Sequence, residues 1–234
     1  MGIKRMRWQT PVFISCIFLS LTQPSLADDN FERAWGRCSG QLPASPDQRV
    51  IACGVVLAAG PSGGGNRILP DGHTRGELLF WNAYYARGQA YLLVPQYSKA
   101  IVDLTKFINE ASWEESGLPI AYGNRGFSFY KLGEYDRAIA DLDAEEAEIK
   151  KQPLGPWKPG MTANLRGDIE MIQKNFGSAL QHFQEFHNVY PNIPGVAEKI
   201  ALARQLKEDP QSPVPSQPAP PPPSEACKMY PNLC

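Results

Sequence analysis

Residues 121–143 read AYGNRGFSFYKLGEYDRAIADLD, and the spacing of small residues, aromatics and charges within them specifies two helices joined by a tight turn. Glycine weakens a helix interior unless another backbone must approach closely, so Gly126 marks a crossing point. Twelve residues on, Ala138 is the matching small residue of the second helix. Between them Gly133 supplies the turn and Tyr135 plugs it with an aromatic ring.

The pattern recurs on both sides, and self-similarity at this period decides the architecture. Upstream, Gly88, Tyr91, Tyr97, Ala100 and Leu104 occupy the offsets held centrally by Gly126, Phe129, Tyr135, Ala138 and Leu142. Downstream, Gly167, Phe176, Ala179 and Phe183 repeat it, with Pro191 closing the second helix. This third copy fits less well. Glu170 replaces an aromatic and Lys174 replaces the turn glycine, which predicts a distorted first helix. The glycines lie 38 and then 41 residues apart, so both gaps carry longer loops than an uninterrupted array of about 34 residues per unit.

These residues resemble the tetratricopeptide (TPR) repeat. The resemblance implies an all-α, short solenoid of helical hairpins across residues 77–208, ending in a capping helix, VAEKIALARQL at 196–206. Such a cap covers the exposed apolar face of the last hairpin. It also implies a concave groove lined by the first helix of each unit. By alignment the groove exposes Asn82, Tyr85 and Gln89, then Asn124, Phe127 and Tyr130, then Asn164, Asp168 and Met171. Amides and aromatics suit an extended peptide, whose backbone offers donors and acceptors. Packing between repeats is the other reading of Phe127 and Tyr130. The basic cluster of the carboxylate-clamping members of the family is not evident at these positions.

One paired difference runs through the copies. Arg87 and Arg125 directly precede the glycine, and Asp103 and Asp141 follow the second-helix alanine by three residues. Two ion pairs bridging the hairpins are therefore expected, Arg87 with Asp103 and Arg125 with Asp141. In the third copy Arg166 remains, but His182 replaces the aspartate.

At the start of the chain, Lys4, Arg5 and Arg7 precede the apolar run PVFISCIFLSL, and Ser25-Leu26-Ala27 follows. That is the build of a secretory signal peptide, residues 1–27, with cleavage after Ala27. The run is too short to cross a bilayer, which takes about 20 residues. Its removal takes three positive charges and no carboxylate, moving the net charge from -1 to -4. A mildly acidic chain lacks the basic face that nucleic acid requires. A periplasmic or secreted protein is expected, with no transmembrane segment in the mature chain.

Residues 28–60 read as a degenerate hairpin, with Pro46 and Asp47 in the first turn of its second helix. Cys38 and Cys53 lie on its facing helices, and an oxidising compartment favours a disulfide between them; two buried thiols are the alternative. Residues 61–76, GPSGGGNRILPDGHTRG from Gly60, form a Gly-rich loop. It lacks the Lys-Ser or Lys-Thr and the preceding strand of a phosphate-binding loop, and reads as a flexible linker. The acidic run Asp141, Asp143, Glu145, Glu146 and Glu148 reads as a solvated helix face, and KQPLGPWKPG at 151–160 as a proline-punctuated loop around Trp157.

Residues 209–234 are a Pro-rich tail. Eight prolines fall between Pro210 and Pro223 with no large apolar residue except Val214, which predicts an extended polyproline II spacer. Beyond it Cys227 and Cys234 are expected to close a small ring, although four cysteines permit three pairings.

Nothing in the sequence assembles a catalytic or cofactor set. His73, His182 and His187 read as solvated, and the last two point in different directions on one helix. The expected function is a non-catalytic protein- or peptide-binding module or assembly scaffold. The alternative is a structural envelope component tethered through its tail, with an enzyme of unrecognised site third.

Overall fold

A computed structural model describes residues 26–110, 117–151 and 162–212. Residues 1–25 of the expected signal peptide, the Trp157 loop, most of the Pro-rich tail and the expected Cys227–Cys234 ring lie outside these residues. Among the described residues the chain is all-helical. Its only β-type pairing is an isolated bridge between Ile68 and Thr74.

The helices, in order, are α1 (Leu26–Cys38), α2 (Pro46–Ala59), α3 (Arg75–Leu93), α4 (Tyr97–Glu110), α5 (Leu118–Lys131), α6 (Tyr135–Lys151), α7 (Ala163–Ile172), α8 (Phe176–Val189) and α9 (Val196–Glu208). Each packs chiefly on its neighbours in sequence. Short connections join α3 to α4, α5 to α6 and α7 to α8, which makes antiparallel hairpins. Of the helices consecutive in sequence, α6 and α7 pack least on one another.

Local chemistry explains where the helices start. Ser45 accepts from the Gln48 amide while the Gln48 side chain accepts from the Ser45 amide, a reciprocal cap that begins α2 with Pro46 in its first turn. Thr74 and Glu77 do the same for α3, which therefore begins at Arg75. Turn geometry explains how the hairpins reverse. Gly133 has φ +79°, and the equivalent Lys174 takes φ +63° although it is not glycine. The first helix of the third unit is the shorter one: α7 spans 10 residues against 14 in α5.

Small residues sit where the helices cross. Gly88, Gly126 and Gly167 are buried, as are Ala100, Ala138 and Ala179. A Cβ on Gly126 would lie 3.2 Å from Asp141 Cβ and 3.3 Å from the Ala138 carbonyl oxygen. The core runs along the stack. Its central part joins Leu92, Leu104, Phe107, Leu118, Phe129, Leu142 and Ile169. An N-terminal part gathers Phe31, Cys38, Cys53, Val56 and Leu79, and the C-terminal part gathers Phe183, Phe186, Val196 and Ala203 around α8 and α9. The sulfurs of Cys38 and Cys53 are at bonding distance inside the N-terminal part.

Three sequence expectations are corrected. The Gly-rich loop is packed rather than a free linker. Gly64 is buried against Gly76, Leu79 and Phe31, and Arg75 ties Glu32 (2.9 Å) and the Gly64 carbonyl (2.8 Å) together. The glycines permit that closeness because a side chain there would collide with backbone. The acidic run is not one solvated face either: Asp141 and Glu145 are buried while Asp143 is exposed. Residues four apart share a helix side, and here that side faces α5. Finally, His182 and His187 are half-buried; His182 lies 3.8 Å from Glu185, too far for a hydrogen bond.

Candidate functional site

The residues assigned to the groove divide into three groups. On α3, Gln89 donates to the Tyr85 hydroxyl at 2.9 Å, and the Tyr85 ring packs on Phe107 at 5.2 Å between centroids. Burial pushes the Tyr85 hydroxyl pKa well up, with Arg49 pulling the other way. Asn82 is half-buried beside them. Tyr85 and Gln89 are thus engaged by their own hairpin.

On α5, Asn124 is 1% exposed, and among the described residues neither its amide nitrogen nor its amide oxygen has a hydrogen-bond partner. Phe127 is 8% exposed and forms part of the central core rather than an open wall. Tyr130 is half-buried. The aromatic rings around it follow one another at near-constant spacing. Tyr97 to Phe127 is 6.3 Å, Phe127 to Tyr130 6.3 Å and Tyr130 to Tyr135 6.2 Å. Lys131 stands over the ladder, its ammonium 5.2 Å from the Phe127 centroid and 5.6 Å from that of Tyr130. Such placement draws a cation toward the negative ring faces.

On α7, Asn164 is buried and Asp168 half-buried, and both accept from Lys199 of α9, at 3.0 Å and 2.7 Å. Met171 turns into the α8–α9 core, packing with Phe183 and Ala203. Helix α7 therefore offers Asp168 and no exposed methionine.

Electrostatics bind the second and third groups into one patch. Burial raises the Asp168 pKa, and Lys199 and Lys131 partly offset it. Burial lowers the Lys131 pKa, Asp168 raises it and Lys199 lowers it further. Burial, then Asp168 and Tyr135, push the Tyr130 hydroxyl up to about 12. Tyr130 thus stays a neutral donor at any physiological pH. The patch joins α5, α7 and α9: aromatic rings, hydroxyl and ammonium donors, and one carboxylate between two lysines.

Sequence reasoning missed Lys131 and Lys199. Neither sits at an offset shared between repeats, and Lys199 reaches the patch only because α9 folds back on α7. Tyr97 and Tyr135 were legible as turn plugs, but not as ends of a ring ladder.

Both sequence-expected ion pairs form. Arg87 donates to Asp103 at 2.7 and 2.9 Å, and Arg125 to Asp141 at 2.8 and 2.7 Å. In the third copy, Arg166 turns to the preceding hairpin and donates to Asp143 at 2.6 Å. Among the described residues no His, Cys, Asp and Glu side chains gather in a metal-binding group, and no helix is long and apolar enough to cross a membrane. No protein-family model, curated protein or solved structure matches the chain.

Proposed function

We propose that the chain is an exported TPR-like module that binds an extended peptide or a partner's peptide segment, without catalysis. The thrice-repeated glycine–alanine crossing and the left-handed turns support the TPR-like reading of the hairpins. The observation that carries the binding role is the patch on α5, α7 and α9. Tyr130, Lys131 and Lys199 supply donors beside the aromatic ladder, and Asp168 supplies an acceptor. An extended peptide presents carbonyls, amides and side chains in alternation, and this mixture can meet all three.

Display selection of random peptides on the mature chain tests the reading. Enriched peptides should lose at least tenfold affinity in Tyr130→Ala and Lys131→Glu variants that keep the wild-type helical circular dichroism. Failure to enrich any peptide, or enrichment indifferent to both substitutions, would falsify it.

A further inference from the structure

The patch has a candidate occupant within the same chain. We infer that residues 210–223, PQSPVPSQPAPPPP, dock on the half-buried tyrosines of the aromatic ladder, Tyr97, Tyr130 and Tyr135, so that the tail occupies the binding face in the absence of another ligand. The inference rests on the proposed peptide-binding role and names the occupant of that site.

Three observations support it. The first is chemical. Proline has no backbone N–H, so a proline-rich strand offers carbonyl acceptors and apolar rings but few donors. Polyproline segments accordingly dock in aromatic-lined sites that supply the donors. The ladder supplies rings at 6.2–6.3 Å spacing, with Lys131 and the tyrosine hydroxyls as donors.

The second is charge. Residues 210–223 carry no charged side chain. They can therefore cover the rings without disturbing the Asp168–Lys199 pair, whose 2.7 Å contact stays satisfied. An anionic peptide would instead compete with Asp168 for both lysines.

The third is reach. The tail leaves from α9, the helix whose Lys199 already touches the patch. From Lys199 to the end of α9 is nine residues, about 14 Å at 1.5 Å per residue. Residues 213–223 span about 34 Å at 3.1 Å per residue in the polyproline II form, enough to turn back and cover the ladder. Because the tail is tethered, its effective concentration is of the order of millimolar, so even weak docking is well populated.

The test uses the full mature chain with a photo-cross-linker at Leu132, an exposed position at the end of α5 next to the ladder that has no part in the proposed binding contacts. In dilute solution, Leu132→p-benzoylphenylalanine should cross-link within the chain to residues 210–223. Excess synthetic peptide of that sequence should suppress the product. A second full-length variant carries Pro220→Ser, Pro221→Ser, Pro222→Ser and Pro223→Ser. It should lose the cross-link and bind the labelled 210–223 peptide about tenfold more tightly than wild type, because the tethered competitor is gone.

Cross-links only to other segments, residues 152–161 included, or only between two molecules overturn the inference. Equal peptide affinity of wild type and variant does the same. The two readings fail separately. Tyr130-dependent binding of selected peptides without a tail cross-link leaves the groove reading intact and removes only the tail. A tail cross-link in a chain that binds no foreign peptide keeps the tail contact and removes the module.

Discussion

Arg125 and Asp141 meet across the α5–α6 hairpin through two parallel hydrogen bonds, and the third guanidinium nitrogen, Nη1, donates to Thr105 Oγ1 of the preceding hairpin at 3.0 Å. One side chain thus fastens its own helix pair and the pair before it. Asp141 is buried, and Arg125 is the cation that faces it. Arg125→Ala is expected to cost about 3 kcal/mol, because a buried charge is left uncompensated. The cycle Arg125→Ala with Asp141→Ala, read by urea denaturation, should show coupling above about 1 kcal/mol. The Arg87–Asp103 pair has a more exposed arginine and should couple less strongly. A coupling energy near zero at Arg125 would reduce the pair to incidental geometry.

The three crossing glycines should differ in tolerance. A Cβ on Gly167 would fall inside the van der Waals envelope of the fully buried Phe183 ring, and one on Gly88 would lie 2.8 Å from Leu104 Cγ. At Gly126 the tightest contact is 3.2 Å. Alanine at 167 should therefore destabilise most, by about 2–3 kcal/mol, as overpacking does in cores. Gly126→Ala should cost less. Thermal melts that reverse this order would show that the helices shift apart freely.

Lys174 holds a left-handed conformation that Gly133 adopts without a side chain to strain it. That conformation costs an ordinary residue about 1 kcal/mol or more. Lys174→Gly should raise stability by roughly that amount, and Gly133→Ala should lower it similarly, since open space surrounds that glycine and only backbone strain acts. Equal melting temperatures for Lys174→Gly and wild type would contradict the first.

Glu145 faces Gly123, where the missing side chain makes room: a Cβ there would lie 2.5 Å from its carboxylate. Burial pushes its pKa up to about 8, with Arg166 lowering it and Asp141 raising it. Between about 4.5 and 8 the folded chain retains a proton that the unfolded chain has released. Stability from this group therefore falls as pH rises through that window and levels off above it. Glu145→Gln should flatten the dependence and stabilise the chain at pH 9 by about 1–3 kcal/mol, the scale of a buried polar penalty. A pH profile unchanged by the substitution would disprove the assignment.

Reduction of the Cys38–Cys53 bond should destabilise the N-terminal hairpin. The bridge closes a loop with a sequence separation of 15, worth about 3 kcal/mol through the unfolded chain. Dithiothreitol should lower the denaturation midpoint of wild type but not that of the Cys38→Ser, Cys53→Ser variant. Hydrogen exchange should locate the loss in α1 and α2.

The sequence by itself determined the helical hairpins, their crossing residues and both Arg–Asp bridges. Each of these follows from spacing along one helix or across one short turn, where the 3.6-residue period fixes which side chains meet. Gly126 and Ala138 were legible for that reason, and so were Arg125 and Asp141. Only the tertiary structure decided how the hairpins use their other faces. Glu145 turns inward and Asp143 outward because packing against α5 fixes the rotation of α6, a phase that five acidic residues in eight positions leave open. Asn124 and Phe127 are buried rather than displayed, and Lys199 reaches Asp168 from 31 residues away because α9 folds back on α7. That contact has no periodic trace in the chain: its geometry arises from the sum of several helix packings, each set by side-chain volume.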